Sequence, residues 1–366
     1  MGEGNPQVKE WKRAAEEVIA SGRRPLKVFL LGPTDSGKTT LAAFLASVAA
    51  AAGLKVAVVD ADVGQSEIGP PGCVGLGFAS GPVERLRDVP ATYSYFVGSN
   101  SPELLSFTTA MAARNAVDRA LADSPDLVII DTTGLVWGRT ARFLKNTKIE
   151  LIDPTHILAL QRDFEVEHIL RSWECLGSSR LTVMRVPLSP KAADHSRRDR
   201  RASRERALRQ YFATATPCEF DLTKLALFRT TYLTGRPMDE GEVELLAKDF
   251  RCQIAHAERL ADGIFVVAGG YFDLDGLDRV KEREGVPDVF LTKADRFENL
   301  LMGMVDREGS LLGVGVLSGL DFQRRVGTIL SPLDRPVLDR VAGLQFGILK
   351  VLPTGEEVGK IHPNDI

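Results

Sequence analysis

Cysteine and histidine are both scarce in this 366-residue chain, with four of the first and five of the second. Cys73, Cys175, Cys218 and Cys252 lie far apart, with neither a disulfide framework nor a paired zinc spacing, and the histidines are as scattered. That excludes a metal centre of the His/Cys type and predicts reduced, intracellular thiols. Long apolar runs are missing too. The longest charge-free one, residues 41–54, has 14 residues and is too short to cross a bilayer. The opening MGEGNPQVKEWKRAAEEV is polar and lacks the apolar centre of a secretory signal. These absences predict a cytoplasmic protein that engages no membrane. Repeats and low-complexity linkers are absent as well. Nor is there a bulk excess of positive charge. The net charge is −3 and the pI about 6.1, so any contact with nucleic acid has to be local.

Positive charge is nevertheless concentrated in one place. Residues 197–209 hold seven arginines against Asp199 and Glu205, a formal +7 − 2 = +5, which leaves −3 − 5 = −8 for the rest of the chain. Arg197, Arg200 or Arg201, Arg204 and Leu208 recur at helical spacing, and Ala207, Leu208, Tyr211 and Phe212 offer an apolar anchor at the far end. A solvated helix face is the plain explanation for such a run. The functional one is a helix that holds guanidinium forks over phosphate oxygens.

The phosphate is provided for near the N-terminus. Residues 26–31, LKVFLL, form a branched apolar run suited to a buried parallel strand. Gly32, Pro33, Thr34, Asp35, Ser36, Gly37, Lys38 and Thr39 then fit G-x-x-x-x-G-K-[ST] at every fixed position, and Thr40 opens an Ala-rich helix that ends near Gly53. Glycines let the backbone curl until successive N–H groups point at one anion, at the positive end of the helix dipole. Lys38 is placed to bridge the terminal phosphates, and the Thr39 hydroxyl to meet Mg2+.

A second strand, VAVV at 56–59, delivers Asp60 and Asp62 to its C-terminal end, where ligands of open α/β sheets bind. Paired carboxylates beside a nucleotide suit two jobs, anchoring a metal and accepting the proton of an attacking hydroxyl. Gln65 is close enough in sequence to orient a substrate. A third strand, LVIIDTTG, ends in Asp131, which also fits a metal anchor, followed by Thr133 and Gly134. Spacing alone leaves the three acids unranked.

Taken in order, GPTDSGKTT, DADVGQSEIGPPG, YFVGSNSP, DTTGLVWG and HSRRDRRASRERALRQYF resemble the Clp-type polynucleotide 5′-hydroxyl kinases over about residues 28–212. The P-loop is common to many families, whereas the D-x-D-x-G-Q loop with P-P-G and a later Arg-rich helix is far more specific. The resemblance implies transfer of the γ-phosphate of ATP or GTP to the 5′-hydroxyl of RNA or DNA, with Mg2+. It gives Asp62 the metal and the nucleophile, with Asp60 beside it. Residues 34–36 clasp the nucleotide phosphates, and a lid over about residues 190–212 brings Arg200 or Arg201, with Arg197 nearby, to the transferring phosphoryl. Gln65, Thr133, Gly134 and Trp137 fall on the substrate side. Three departures stand out. Leu135 occupies the place where many members carry a base-stacking Trp, and Trp137 lies two residues on. His195 stands where the lid's first arginine is expected. About 25 residues precede the first strand, so the N-terminal β domain of eukaryotic members is not expected.

Strand and helix signals alternate from 26 to 212 and predict an α/β P-loop domain, a doubly wound and mostly parallel sheet with an Arg-rich helical lid. Its expected extent is residues 1–215. Residues 216–366 are expected to form a smaller β-rich C-terminal domain, with a helix over 240–262 and a meander turning at 306–309 and near Gly319. Two rival functions remain on the sequence, a regulatory ATPase or GTPase switch and a nucleotide-binding scaffold, each acting on a protein partner that the sequence does not identify.

Overall fold

The computed structural model describes residues 5–22, 24–189, 192 and 196–366. The chain divides into two compact units, Met1–Arg204 and Glu205–Ile366. In chain order the first contains α1 (Pro6–Ala20), β1 (Leu26–Leu31), α2 (Lys38–Ala51), β2 (Val56–Ala61), β3 (Cys73–Ala79) and β4 (Ala91–Phe96). It continues through α3 (Ser106–Ala122), β5 (Leu127–Thr132), α4 (Gly138–Ile152), β6 (His156–Leu160), α5 (Glu167–Leu176) and β7 (Thr182–Val186) to the start of α6 (Arg197–Tyr211).

The seven strands of this unit lie in the order β4-β3-β2-β5-β1-β6-β7. The five strands from β2 to β7 in that order are parallel; β1, β2, β5 and β6 are buried almost throughout, as strands covered on both faces must be, whereas the edge strand β7 buries Val186 and leaves its other residues partly or fully exposed. On one face α3, α4 and α5 pack Ala113, Val117, Ile149 and Ile169 against the sheet. On the other, α1 and α2 supply Trp11, Val18, Leu41 and Leu45. Each fully buried Leu, Ile or Val contributes about 1.5–3 kcal/mol, so two such layers hold the strand ends firmly in place. Trp11 is fully buried and its Nε1 donates to Pro187 O at 2.8 Å, which fixes α1 against the segment leaving β7. The alternating reading from 26 to 212 missed one feature. β3 runs antiparallel to β2 and β4 antiparallel to β3, extending the sheet at one edge.

Among the described residues no helix is long and apolar enough to cross a membrane.

The second unit takes up the last turns of α6 and adds two sheets. β8 (Thr216–Asp221), β9 (Ala226–Phe228) and β10 (Arg236–Pro237) lead to α7 (Glu240–Phe250), β11 (Ile254–Arg259), β12 (Gly263–Ala268), α8 (Gly276–Glu284) and β13 (Asp288–Lys293). β14 (Leu300–Val305), β15 (Leu311–Asp321), β16 (Val326–Ser331), α9 (Arg335–Leu338), β17 (Gly343–Val351) and β18 (Glu357–Lys360) complete it. A seven-stranded sheet runs β18-β17-β14-β15-β16-β8, with β9 beside β17, and a four-stranded one runs β10-β11-β12-β13. α7 and α8 cover the smaller sheet through Leu246, Phe250 and Val280.

Two local expectations are corrected here. The helix expected over 240–262 stops at Phe250. An Asp239/Glu242 capping box starts it, and Arg251 in the left-handed region (φ 51°) ends it, after which β11 begins. The meander turn expected near Gly319 falls slightly later, since Gly319 itself lies within β15 beside a bulge. The turn comes after Asp321, where Arg325 takes a positive φ of 54°.

Candidate active site

β1 lies between β5 and β6, so the loop that leaves it opens at the C-terminal edge of the parallel strands. Gly37 is the N-cap of α2 with φ 92°, and a Cβ there would stand 2.2 Å from Ser189 Cβ, so this position admits no side chain. Ser189 N also donates to Ser36 O at 3.1 Å, which brings the segment after β7 onto the P-loop. Lys38 is buried and folds back over its own loop, donating to Pro33 O at 2.7 Å and Ser36 Oγ at 3.4 Å. Burial lowers its pKa, opposed by Asp131, Asp62 and Asp35.

Register brings the acids together. Asp60 on β2 pairs with Asp131 on β5, one rung of the sheet. Their surroundings then separate them. Asp60 accepts from the backbone N–H of Asp62 (3.1 Å), Glu67 (2.5 Å) and Ile68 (3.0 Å), so both of its oxygens are spent in folding the loop that follows β2. Burial and the neighbouring Asp131 push its pKa well up, against those backbone bonds. Asp62 accepts only locally, from Gly64 N at 3.0 Å, and faces the cleft. Asp131 accepts from the Thr39 hydroxyl at 2.6 Å through Oδ2, while Oδ1 is buried without a partner. Burial raises its pKa to about 6, with Lys38 and the Thr39 bond acting against that.

The cleft encloses about 300 Å3 and is lined by Thr34, Asp35, Gly37, Lys38, Thr39, Thr40, Asp62, Gln65 and Gly134, and by Ser189, Asp199 and Arg200. Gly134 approaches the P-loop so closely that a Cβ would meet Thr34 N at 2.5 Å. Arg200 is half-buried and its guanidinium pairs with Asp35 at 3.0 Å, while Gln65 Nε2 donates to Arg200 O at 3.3 Å. Of the lid arginines singled out from the sequence, Arg200 lines the cleft, whereas Arg197 and Arg201 lie exposed on α6 and do not. His195 lies outside the described residues. Thr133 is buried behind the cleft. Trp137 caps α4 at the mouth of the same loop, well exposed, with its ring stacked on His168 at 6.2 Å and 15°.

Sequence reasoning passed over Ser189, which carries no motif. It also passed over Lys145 and Lys148, which sit on the buried stripe of α4 with Ala141, Leu144, Ile149 and Ile152. Lysines at core positions of an amphipathic helix are a legible signal.

Among the described residues no cluster of three His, Cys, Asp or Glu side chains forms a metal site. What is present is a hydroxyl, a carboxylate with an unpartnered buried oxygen, and Asp62 in the cleft, an oxygen-only set. Such a set fits Mg2+, which takes one or two carboxylates and completes its shell with phosphate and water.

Residues 32–214 match the family model described as mRNA cleavage and polyadenylation factor CLP1 P-loop. The polyribonucleotide 5′-hydroxyl-kinase of Pyrococcus abyssi is 32% identical over 345 residues, covering 94% of this chain and 93% of its own. That of Pyrococcus furiosus is 33% identical over 352 residues, 96% and 95%. The polyribonucleotide 5′-hydroxyl-kinase Clp1 of Xenopus tropicalis is 25% identical over 336 residues, 86% and 69%. In solved structures the wild-type Clp1p–Pcf11p complex shares the fold, with a TM-score of 0.61 at 14% identity over 94% of this chain and 80% of that one.

Proposed function

The chain belongs to the Clp1 P-loop family, and on that premise we propose that it acts as a polyribonucleotide 5′-hydroxyl-kinase, moving the γ-phosphate of ATP to the 5′-hydroxyl of an RNA end. One observation carries the reading of the site. A single cleft gathers the P-loop Lys38 and Thr39, the free-facing Asp62 and the lid-helix Arg200.

Thr34, Asp35, Ser36 and the loop N–H groups cradle the nucleotide phosphates. Lys38 exchanges its bond to Pro33 O for the terminal phosphates, a short move because the ammonium already lies over the loop. Thr39, Asp131 and Asp62 would hold Mg2+, which would supply neutralising charge to the phosphoryl group being transferred. Asp62 accepts the proton of the 5′-hydroxyl as it attacks. Asp60 shapes the loop that carries Asp62, because its oxygens are already engaged. Arg200 leaves Asp35 to meet charge that develops on the phosphoryl oxygens, with Arg201 and Arg197 behind it on the same helix. Gln65 and Gly134 position the acceptor end, with the buried Thr133 supporting Gly134 from behind, and Trp137 offers its face to the terminal base. The catalytic domain is taken as residues 1–215 and the compartment as the cytoplasm.

The test is incubation with γ-labelled ATP or GTP and 5′-hydroxyl RNA and DNA oligonucleotides, with a nucleoside as control. Label on RNA is expected. Label found solely as free phosphate would make the chain a hydrolytic switch instead. In the same assay Asp62→Asn retains nucleotide binding and loses transfer by on the order of 100-fold or more, while Lys38→Ala weakens both.

A further inference from the structure

The exposed apolar side chains of the first unit are not scattered. Among the described residues six large ones stand exposed there, Leu104, Phe107, Trp137, Phe143, Phe164 and Leu176. Five of the six fall in the loops and first two turns that open α3, α4 and α5, and Leu176, at the end of α5, is the exception. These three helices cover one face of the sheet. β4 runs antiparallel to β3 and β3 to β2, so β4 points the same way as β2, β5, β1 and β6. The three helix starts therefore share one edge of the sheet with the P-loop. Single exposed hydrophobics need no explanation, but a set confined to one edge does.

The middle segment also carries charge. Arg139, Arg142 and Phe143 are exposed at i, i+3 and i+4 on α4, opposite its buried stripe. Among the described residues neither guanidinium makes an ion pair or a side-chain hydrogen bond. The flanking segments carry acid, Glu103 before α3 and Asp163 and Glu165 before α5, so the net positive charge of this edge belongs to α4. Trp137 is braced at the head of that helix. His168 Nε2 lies 2.9 Å from Val136 O, and because a carbonyl accepts, that nitrogen carries the hydrogen. The bond holds the imidazole beside the indole, which stays exposed and has little freedom to lose on binding. Gly134, three residues before Trp137, lines the cleft, so this surface continues the acceptor side.

We infer that the opening turns of α4 bind the single-stranded RNA that follows the 5′-terminal nucleotide, with a base stacked on Phe143 and phosphates on Arg139 and Arg142. Gly138 to Phe143 spans about 7.5 Å of helix axis, roughly two base steps of 3.4 Å, so Phe143 serves a nucleotide downstream of the one at Trp137. Rings interleaved with unpaired guanidiniums suit a single strand, whose base faces are open, and a duplex end hides those faces. The inference rests on the kinase reading and adds the form of the substrate, a flexible RNA end several nucleotides long.

The experiment is fluorescence anisotropy of the full-length protein with 3′-labelled 5′-hydroxyl RNA, as a dinucleotide, a longer single strand, and that strand annealed to its complement. Phe143→Ala should weaken the single strand on the order of tenfold, the loss of one base stack, while Phe143→Tyr keeps it within about twofold. The dinucleotide should feel Phe143→Ala by less than about twofold, and the duplex should bind wild type more weakly than the single strand. Arg139→Gln with Arg142→Gln should flatten the plot of log Kd against log salt by about 1.4, two phosphates at about 0.7 each. Unchanged single-strand affinity in Phe143→Ala, an unchanged salt slope, or a duplex bound as tightly as the single strand overturns the inference. So does self-association of wild type that Phe143→Ala abolishes with RNA affinity intact, which marks the edge as a protein interface. Binding is read apart from transfer. If wild type labels RNA and the variants all bind alike, this inference alone falls. If wild type binds RNA as described and yields labelled free phosphate only, the kinase reading alone falls.

Discussion

Arg200 cannot serve a phosphoryl group while it is held by Asp35, and that competition has a measurable size. The pair is 3.0 Å apart, with side-chain exposures of 27% and 17%, so water screens it in part. A pair of that kind is worth about 1 kcal/mol net, which is a factor of about five. Asp35 sits at φ 61°, a conformation asparagine accepts, so Asp35→Asn removes the charge and spares the loop. The variant should show a kcat about fivefold above wild type in steady-state transfer to a 5′-hydroxyl oligoribonucleotide. Arg200→Ala should lower kcat by on the order of 10²–10³ with little change in nucleotide KM, as the proposed role of the guanidinium, meeting charge that develops in the transition state, requires. The double variant decides the matter. With the arginine gone, Asp35→Asn has no Arg200 to release and should leave kcat where Arg200→Ala put it. An equal effect of Asp35→Asn in both backgrounds would refute the latch.

Other expectations follow from burial and exposure. Asp131 has its pKa raised from 3.8 to about 6, so between those values the folded protein keeps a proton that the unfolded chain has lost. Its contribution therefore makes stability fall as pH rises through that window, by up to about 3 kcal/mol. Denaturant unfolding in a chelator at pH 4 and pH 6.5 should show a smaller fall for Asp131→Asn than for wild type, and equal falls contradict the assignment. Trp137→Ala should raise the KM for oligoribonucleotide about tenfold, a loss typical of one base stack. The nucleotide KM should be untouched, and an unchanged oligonucleotide KM would remove Trp137 from the acceptor side.

The strand–loop–helix of the P-loop was readable because its chemistry is local, with glycines, a lysine and a hydroxyl in one contiguous stretch. β1 and the helix over the arginine run followed from pattern alone; of the apolar anchor expected at Ala207, Leu208, Tyr211 and Phe212, Leu208 and Phe212 are buried and Tyr211 half-buried, while Ala207 is exposed. What spacing could not resolve was the division of labour among Asp60, Asp62 and Asp131. That depends on which backbone N–H groups turn toward each carboxylate, a property of the folded loop. β3 and β4 were passed over because an antiparallel edge hairpin interrupts no helix–strand alternation strongly enough to be heard above it. The strand β11 was absorbed into a helix because Ile254–Arg259 follows α7 after three residues without a proline or glycine to mark the break. Lys145 and Lys148 stood in plain view, two charges on an apolar stripe, and were invisible only to a search for motifs.

The engagement of Asp60 has a consequence outside the test tube. Its carboxylate ties down three backbone N–H groups of the loop after β2, while Asp62, two residues on, ties down one. A genetic screen for lost activity would return lesions at both positions as equivalents. Cellular abundance would part them. A chain altered at 60 carries orphaned backbone donors into every molecule made and is exposed to quality-control proteolysis. A chain altered at 62 accumulates to normal levels as an inert protein that still occupies nucleotide and RNA ends. The first is a recessive shortage, and the second is a competitor of the working enzyme.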